Sequence, residues 1–432
     1  MSFLKISTWN ARGVQSTASR QEKINYLMES NFDILFDDRG NIAFALKSGQ
    51  QQIQSKYIKS IKNKDGEIVK GEKMKREIIR ELCADAYKEM NTDLNSVNSF
   101  LETLPSYSSC SFSSLLGNVK KEEVLESIKQ LNTGKSPGPD GLPTEFYQLY
   151  NDDVLNLLTS MFNKGLQTGC MGESFYEGVM CLLYKKGDET DVDNYRHLTI
   201  MNTDYKILAK IIMNRLNYVL DEIIDKEQTC AVKGRVMWDN LCILREILNK
   251  PDESKGFFIL GLDQKKAFDY ISRDYLWAVL KAYGFPLPFT QMIKCLYVQS
   301  KVRVKVNGVL TDSFEVQRGV KQGCPLSAAL YVLAISPLIH RINNDRHISG
   351  THVVDALRVK ALAYADDVCV IIKNQTETDF LCLLLLLFRL FPSGVGYSCL
   401  TSSVSLSISI ANKKGLKADP WCSPTSTLNS SV

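Results

Sequence analysis

The sequence predicts a mixed fold of the α/β (α+β) class, an antiparallel sheet packed on helices, and three stretches carry that expectation. In the first, Leu357, Val359, Leu362 and Tyr364 lead up to Asp366-Asp367, and the apolar run Val368 to Ile372 follows. This reads as a β-hairpin with two carboxylates at its tip. In the second, Phe257 to Leu262 form an apolar run of strand length that ends at Asp263. In the third, Val302, Val304 and Val306 alternate with Lys301, Arg303 and Lys305 and are closed by Asn307-Gly308, a pair suited to a tight hairpin turn. Helical spacing fills the intervals. Val124, Leu125, Ile128 and Leu131 make one amphipathic stripe, and Ser272 caps a helix packed through Leu276, Val279, Leu280 and Tyr283 that stops at Gly284 and Pro286.

A length of 432 residues suggests two or three domains, and 44% hydrophobic with 23% charged residues excludes a chain too polar to fold. The net charge of +4 says little about partners, so the clusters matter more: Lys56 to Arg80, and the basic face of 301–305. Twelve cysteines without a Cys-x-x-Cys pair, and no secretory leader, predict reduced thiols in an intracellular protein of the nucleus or cytoplasm, not a secreted one. Zinc is not expected. The apolar run Phe380 to Phe388 is too short to span a bilayer, which needs about 20 residues, so no membrane partner is expected.

From the N-terminus, Leu4 to Trp9 reads as a strand ending in the turn Asn10 to Gly13, Ser19 to Glu29 as a basic helix, and Phe32 to Phe36 as a second strand. This opening resembles the start of the metal-dependent endonuclease/exonuclease/phosphatase fold, in which an Asn at the position of Asn10 helps organise the phosphate site. Here Asp37-Asp38 follows Phe36, and no later segment supplies the Asp and His motifs of that family. So short a segment buries too little surface to form a two-sheet sandwich. Residues 1–36 are therefore expected to be a truncated endonuclease-like remnant without nuclease activity. From about Ile42 to Glu102 the chain reads as polar helices and linkers, with a turn at Asp65-Gly66, and Ser106 to Ser114 as a Ser-rich flexible loop. The stretch Thr133 to Gly141 contains Gly134-Lys135-Ser136 but is not a P-loop, because Lys129 stands where that motif needs glycine. Its glycines and prolines read equally as a turn approaching a phosphate strand or as a stiff interhelical loop.

Asp263 at a strand end, with Asp366 and Asp367 roughly 100 residues on, supplies three carboxylates from two elements. A bare solvated turn is the ordinary meaning of an Asp-Asp pair. Among apolar neighbours, however, ionised carboxylates need a cation or hydrogen-bond donors. Two Mg²⁺ ions held there would activate a 3′-hydroxyl and stabilise departing pyrophosphate. Arg318 to Ser327 is a glycine-bearing loop feeding a long apolar helix, with Pro325 expected in its first turn. Gly323 leaves room for a base pair against the backbone and Gln322 offers an amide, although a purely structural helix start would look similar.

Together these stretches resemble the reverse-transcriptase family, specifically the LINE-type retroelements that lack long terminal repeats. Tyr184 to Asp188, Asn194 to Ile200, Tyr205 to Lys210 and Asn214-Arg215-Leu216 look like its fingers, Gln228 to Val232 with Gly234-Arg235 like its connecting segment, and Asp263 to Asp269, Gln322 to Ser327 and Tyr364 to Asp367 like its palm. The resemblance covers roughly 115–379. It implies a right-hand polymerase whose antiparallel palm sheet packs on helices, acting as an RNA-directed DNA polymerase on an RNA template, a DNA primer and deoxynucleoside triphosphates. It further implies Asp263 and Asp366 as ligands of two Mg²⁺ ions, with Mn²⁺ as the alternative, and Asp367 as shaping the metal site. Lys185 and Arg196 would grip the triphosphate, Phe268 would be the steric gate that excludes a 2′-hydroxyl, and Gln322 and Gly323 would position nucleotide and template.

His197 and Lys233 stand where the family has proline. After Asp379 the sequence departs further, and the primer-gripping hairpin and thumb of the family are not recognisable. The expected organisation is the 1–36 remnant, a helical linker region 37–114, fingers and palm 115–379, and an aberrant, partly disordered tail 380–432 such as a shifted reading frame would produce. The thumb is expected to be missing, which puts turnover in question. A non-catalytic nucleic-acid-binding remnant is the first rival. An RNA-templated RNA polymerase is the second, disfavoured by Phe268.

Overall fold

The computed structural model describes residues 6–8, 34–36, 57–89, 91–105, 107, 112–149, 152–249, 257–262, 264, 266–354 and 357–393. In chain order the elements are β1 (Ile6–Thr8), β2 (Ile34–Phe36), β3 (Ile61–Lys62), β4 (Ile68–Val69), α1 (Glu72–Ala86), α2 (Leu94–Leu101), α3 (Lys121–Lys129), α4 (Thr144–Gln148) and α5 (Asp152–Thr168). Next come β5 (Glu177–Tyr184), β6 (Tyr195–Met201), α6 (Thr203–Leu216), α7 (Leu220–Ile223), α8 (Met237–Asn249), β7 (Phe258–Leu262), α9 (Ala267–Tyr270), α10 (Arg273–Ala282) and α11 (Leu287–Cys295). The last are β8 (Lys301–Val306), β9 (Val309–Leu310), β10 (Phe314–Glu315), α12 (Ser327–Asn344), β11 (Thr351–Val354), β12 (Leu357–Val359), β13 (Ala361–Tyr364), β14 (Asp367–Ile372) and α13 (Gln375–Ser393). Described residues within Met1–Lys75, Leu183–Arg196 and Val306–Val309 make one compact unit; those within Arg76–Leu182, His197–Lys305 and Leu310–Val432 make a second.

In the first unit β1 and β2 pair in parallel, Ile6 opposite Ile34, as a strand-helix-strand opening requires. The helix expected over Ser19 to Glu29, and Asn10, lie outside the described residues. Asp65-Gly66 does mark a turn, but between the short antiparallel strands β3 and β4, not between helices. Asn63 explains it: its Oδ1 accepts from the backbone N–H of Asp65 (3.0 Å) and of Glu67 (2.8 Å), closing an Asx turn that competes with helix. Lys62 reaches Asp188 at 2.5 Å, and the backbone N–H of Lys62 donates to Thr190 O at 2.8 Å.

The second unit is built on α12, which is apolar and buried nearly all round, as a helix surrounded by other elements must be. Its N-terminus begins at Ser327, so Pro325 stands in the turn ahead of the helix and not in its first turn. α10 is capped by Ser272, whose Oγ accepts from Tyr275 N–H, and it packs Tyr275, Leu276, Val279 and Leu280 into the same core. β13, β14 and β7 form an antiparallel sheet in that order, with Ala363 opposite Val368 and Val368 opposite Leu262. A second sheet runs β10-β8-β5-β6, in which β8 and β5 are parallel. β8 buries Val302, Val304 and Val306 and exposes Lys301, Arg303 and Lys305, and Asn307 and Gly308 both take positive φ at its end (50° and 89°).

The Ser-rich loop ends in a 3₁₀ turn, Phe112–Leu115, with Leu115 buried. α13 runs through the boundary expected at 379 and buries Leu381, Leu384 and Phe388, the last ring 6.0 Å from Tyr275. Among the described residues no helix is long and apolar enough to cross a membrane. In the 133–141 turn, a Cβ on Gly138 would lie 2.5 Å from the backbone N of Asn202. The close approach this glycine permits is thus to the start of α6.

Candidate active site

The hairpin β13–β14 closes in two residues: Tyr364 pairs with Asp367, leaving Ala365 and Asp366 as the turn. Ala365 adopts φ +53°, a left-handed conformation that costs a Cβ-bearing residue free energy and needs outside support. Buried Gln228 gives it. Its Oε1 accepts from Ala365 N–H at 3.0 Å and its Nε2 donates to Ala365 O at 3.3 Å, so one side-chain amide satisfies both backbone groups of Ala365. The flanking backbone is fixed as well: Thr229 N–H donates to Ala363 O (3.0 Å), Ala363 N–H to Glu227 O (2.9 Å), and Asn240 Nδ2 to Ala363 O (2.9 Å). Held in this way, Asp366 is half-buried and Asp367 exposed, both at the solvent end of the sheet. Beside them β7 ends at Leu262, opposite Val368. Asp263 follows Leu262 in sequence but lies outside the described residues. Among the described residues no group of three His, Cys, Asp or Glu is disposed to hold a metal. The two described carboxylates are nonetheless hard oxygen donors, one half-buried and one exposed, of the kind that suits a hard divalent cation.

Phe268, Gln322 and Gly323 are brought into one assembly. The half-buried Phe268 ring stacks on Tyr331 of α12, centroids 4.6 Å apart at 19°. The turn that carries it is joined to the 318–323 loop by two backbone bonds, Gly319 N–H to Ile271 O and Val320 N–H to Phe268 O, both 2.8 Å. Gln322 Nε2 donates to Asp269 Oδ2 at 2.8 Å, and Gln322 O accepts from Thr199 N–H at 3.0 Å. Gly323 has φ +106°, and a Cβ there would sit 2.8 Å from Thr199 O, so the backbone of β6 already fills the space that its missing side chain leaves. Lys185 and Arg196 belong to the other compact unit, exposed on the β5–β6 hairpin, where Lys185 N–H donates to Asn194 O at 2.9 Å.

Lys321, 5% exposed, lies beneath this loop with its Nζ 4.3 Å from the Tyr205 ring centroid. Burial, reinforced by the charge of Arg273, pushes its ammonium down to about 7. The folded value is below the unfolded one, so between about 7 and 10.5 the unfolded chain binds more protons, and stability rises with pH across that window. Lys321→Met is therefore expected to stabilise by about 2 kcal/mol below pH 7, with the gain shrinking toward pH 10. Thermal melts of both proteins against pH check this; parallel curves count against it.

Residues 184–390 match the family model described as reverse transcriptase (RNA-dependent DNA polymerase). The chain is 37% identical over 265 residues to the transposon TX1 uncharacterized 149 kDa protein of Xenopus laevis, covering 60% of this chain and 20% of that protein. It is 27% identical over 271 residues to the RNA-directed DNA polymerase from mobile element jockey of Drosophila melanogaster (60% and 28%). To the retrovirus-related Pol polyprotein from the type-1 retrotransposable element R2 of Nasonia vitripennis it is 24% identical over 254 residues (58% and 24%). The chain thus spans between a fifth and three tenths of these relatives. The matched segment, just under half of the chain, is similar to reverse-transcriptase domains, and the mixed helix-and-sheet fold described above is consistent with the fingers and palm of such a domain.

Proposed function

We propose that the chain is an RNA-directed DNA polymerase of LINE-type retroelement origin, extending a DNA 3′ end on an RNA template with deoxynucleoside triphosphates inside the cell. The observation that carries the reading is the Asp366-Asp367 tip, clamped by Gln228 at the end of an antiparallel sheet within the segment that matches reverse transcriptases. Asp263 and Asp366 would hold Mg²⁺, two ions in all with Mn²⁺ as the alternative, and Asp367 would shape the field around them. Cations bound there supply Lewis-acid stabilisation of the charge on attacking and leaving oxygens.

The remaining work falls to the protein. Lys185 and Arg196 neutralise the triphosphate, and the planar guanidinium of Arg196 suits paired phosphate oxygens. Phe268, with Tyr331 stacked behind it, is a rigid wall that leaves no room for a 2′-hydroxyl. Gln322 and Gly323 position the nucleotide against the template. Residues 115–379 form the fingers and palm in this reading, and 1–36 remain an endonuclease-like remnant.

Primer extension on an RNA template with Mg²⁺ tests the proposal, and absence of DNA synthesis by the wild-type chain would overturn it. Phe268→Ala is expected to raise ribonucleotide incorporation by about 10-fold or more relative to deoxynucleotides, since a lost steric exclusion of about 1.4 kcal/mol is worth a factor of ten. Unchanged sugar selection would remove Phe268 from the role.

A further inference from the structure

A buried run of polar side chains leads to Gln322 from a segment that precedes the matched domain. Tyr87 follows α1, and its Oη donates to Asp269 Oδ1 at 2.7 Å. The other oxygen of Asp269, Oδ2, accepts from Gln322 Nε2 at 2.8 Å. His197 Nδ1 lies 3.1 Å from Tyr87 Oη. Asp269 is 4% exposed and His197 1%. A phenol has one proton to give and an ionised carboxylate can only accept, so Tyr87 donates to Asp269 and His197 donates to Tyr87 through Nδ1–H. His197 stands where proline was expected, and that substitution supplies this donor.

The backbone reinforces the side chains. Gln317 N–H donates to Tyr87 O at 2.9 Å, Arg318 Nε to Ala86 O at 2.7 Å, and Glu89 N–H to Gln317 Oε1 at 3.0 Å. The end of α1 is thereby fixed to the strand of chain that carries Gln322. The amide torsion of a glutamine is broad, and its oxygen and nitrogen exchange places at little steric cost. An acceptor-only partner removes that freedom: Asp269 binds the NH₂ group, which leaves Oε1 as the end available to a ligand.

We propose that Tyr87 and Asp269 are positioning residues that fix the Gln322 amide so that its oxygen, an acceptor, faces the incoming nucleotide, and that the segment around Tyr87 is part of the polymerase and not a linker. The inference rests on the polymerase reading given above. It is tested on the full chain with Tyr87→Phe, Asp269→Asn, Gln322→Ala and the Tyr87→Phe, Gln322→Ala double variant. Tyr87→Phe removes one oxygen and keeps the ring, so it is expected to raise KM for deoxynucleotide about 10-fold with kcat within about 2-fold. Asp269→Asn, which lets the amide turn over, shifts KM in the same direction. In the Gln322→Ala background Tyr87→Phe adds nothing further, because its effect passes through that amide. Additive losses, or equal losses in kcat, would overturn the proposal in favour of a purely structural role.

A wild-type chain that extends no primer defeats the polymerase reading separately. The positioning claim is then decided by hydrogen exchange of the ¹⁵N-labelled Gln322 side-chain amide. Exchange about 10-fold faster in Tyr87→Phe than in wild type supports it, and equal exchange overturns it.

Discussion

The Asp366→Ala, Asp367→Ala double variant is expected to lose RNA-templated primer extension by at least about 10³-fold while its melting temperature stays within about 2 °C of wild type. Both halves follow from where the pair sits. Asp366 is the half-buried second residue of the two-residue turn and Asp367 the exposed first residue of β14, while the hydrogen bonds from Gln228 that hold the turn go to the backbone of Ala365. Truncating both leaves these backbone bonds, and those from Thr229 and Asn240 to Ala363, in place. It also relieves repulsion between neighbouring like charges, so without divalent cation the variant is expected to be as stable as wild type or slightly more so, the usual relation between a functional site and stability. Mg²⁺ reverses the order: a ligand that binds only the folded protein raises its melting temperature by mass action, and only the wild type keeps the donors. Equal extension by the two proteins, or equal Mg²⁺-induced stabilisation, would take the pair out of the metal site.

The elements that carry the site were readable where a local period met a turn signal. The alternation of valines with basic residues gave β8, Asn307-Gly308 gave its turn, and Ser272 gave the start of α10, because each is decided by residues within a few positions of one another. Partnerships across long sequence separations have no such signature. Nothing local to Gln228 announces that its amide will satisfy Ala365, or local to Tyr87 that it will meet Asp269. Glycines are ambiguous for a related reason: the 133–141 turn reads equally as a phosphate approach or a stiff interhelical loop, and local sequence does not show that a Cβ on Gly138 would meet Asn202 or one on Gly323 the carbonyl of Thr199. β3 and β4, two residues each, are too short to show any alternation. In the stretch expected to open the divergent tail, Leu381, Leu384 and Phe388 fall on one helical face and pack inward. Asp263, the remaining expected ligand, lies outside the described residues.

Arg215→Met is expected to cost about 2–4 kcal/mol of stability, measured by urea unfolding, because it removes the buried partner of an ion pair whose carboxylate is partly exposed. Arg215, at the end of α6, is 4% exposed. Its Nε and Nη2 bind the two oxygens of Glu123 at 2.7 and 2.8 Å. Nη1 donates to Gly117 O (2.9 Å) and Leu115 O (3.2 Å), and Nη2 to Asn118 O (2.9 Å). One guanidinium thus ties α6 to the start of α3 and to the chain before it, and the cation also lies at the end of α6 that favours positive charge. Methionine replaces most of the stem but takes the guanidinium donors away from three carbonyls and from the carboxylate, which keeps the Lys120 N–H, so lost desolvation does not compensate. Glu123→Gln is expected to cost less, about 1–2 kcal/mol, and adding it to Arg215→Met should change little further, since the two share one interaction. The pH dependence has a definite sign. Burial pushes the Glu123 carboxyl up, but hydrogen bonds from Arg215 and the Lys120 N–H, with the Arg215 charge, outweigh it and leave it below the usual range. The stabilisation is then present at neutral pH and fades as the acid is protonated, so the gap between wild type and Arg215→Met should narrow as pH falls below about 4. A gap that stays constant down to about pH 3, or a variant that unfolds with wild type, would mean that Arg215 packs at this junction without anchoring it.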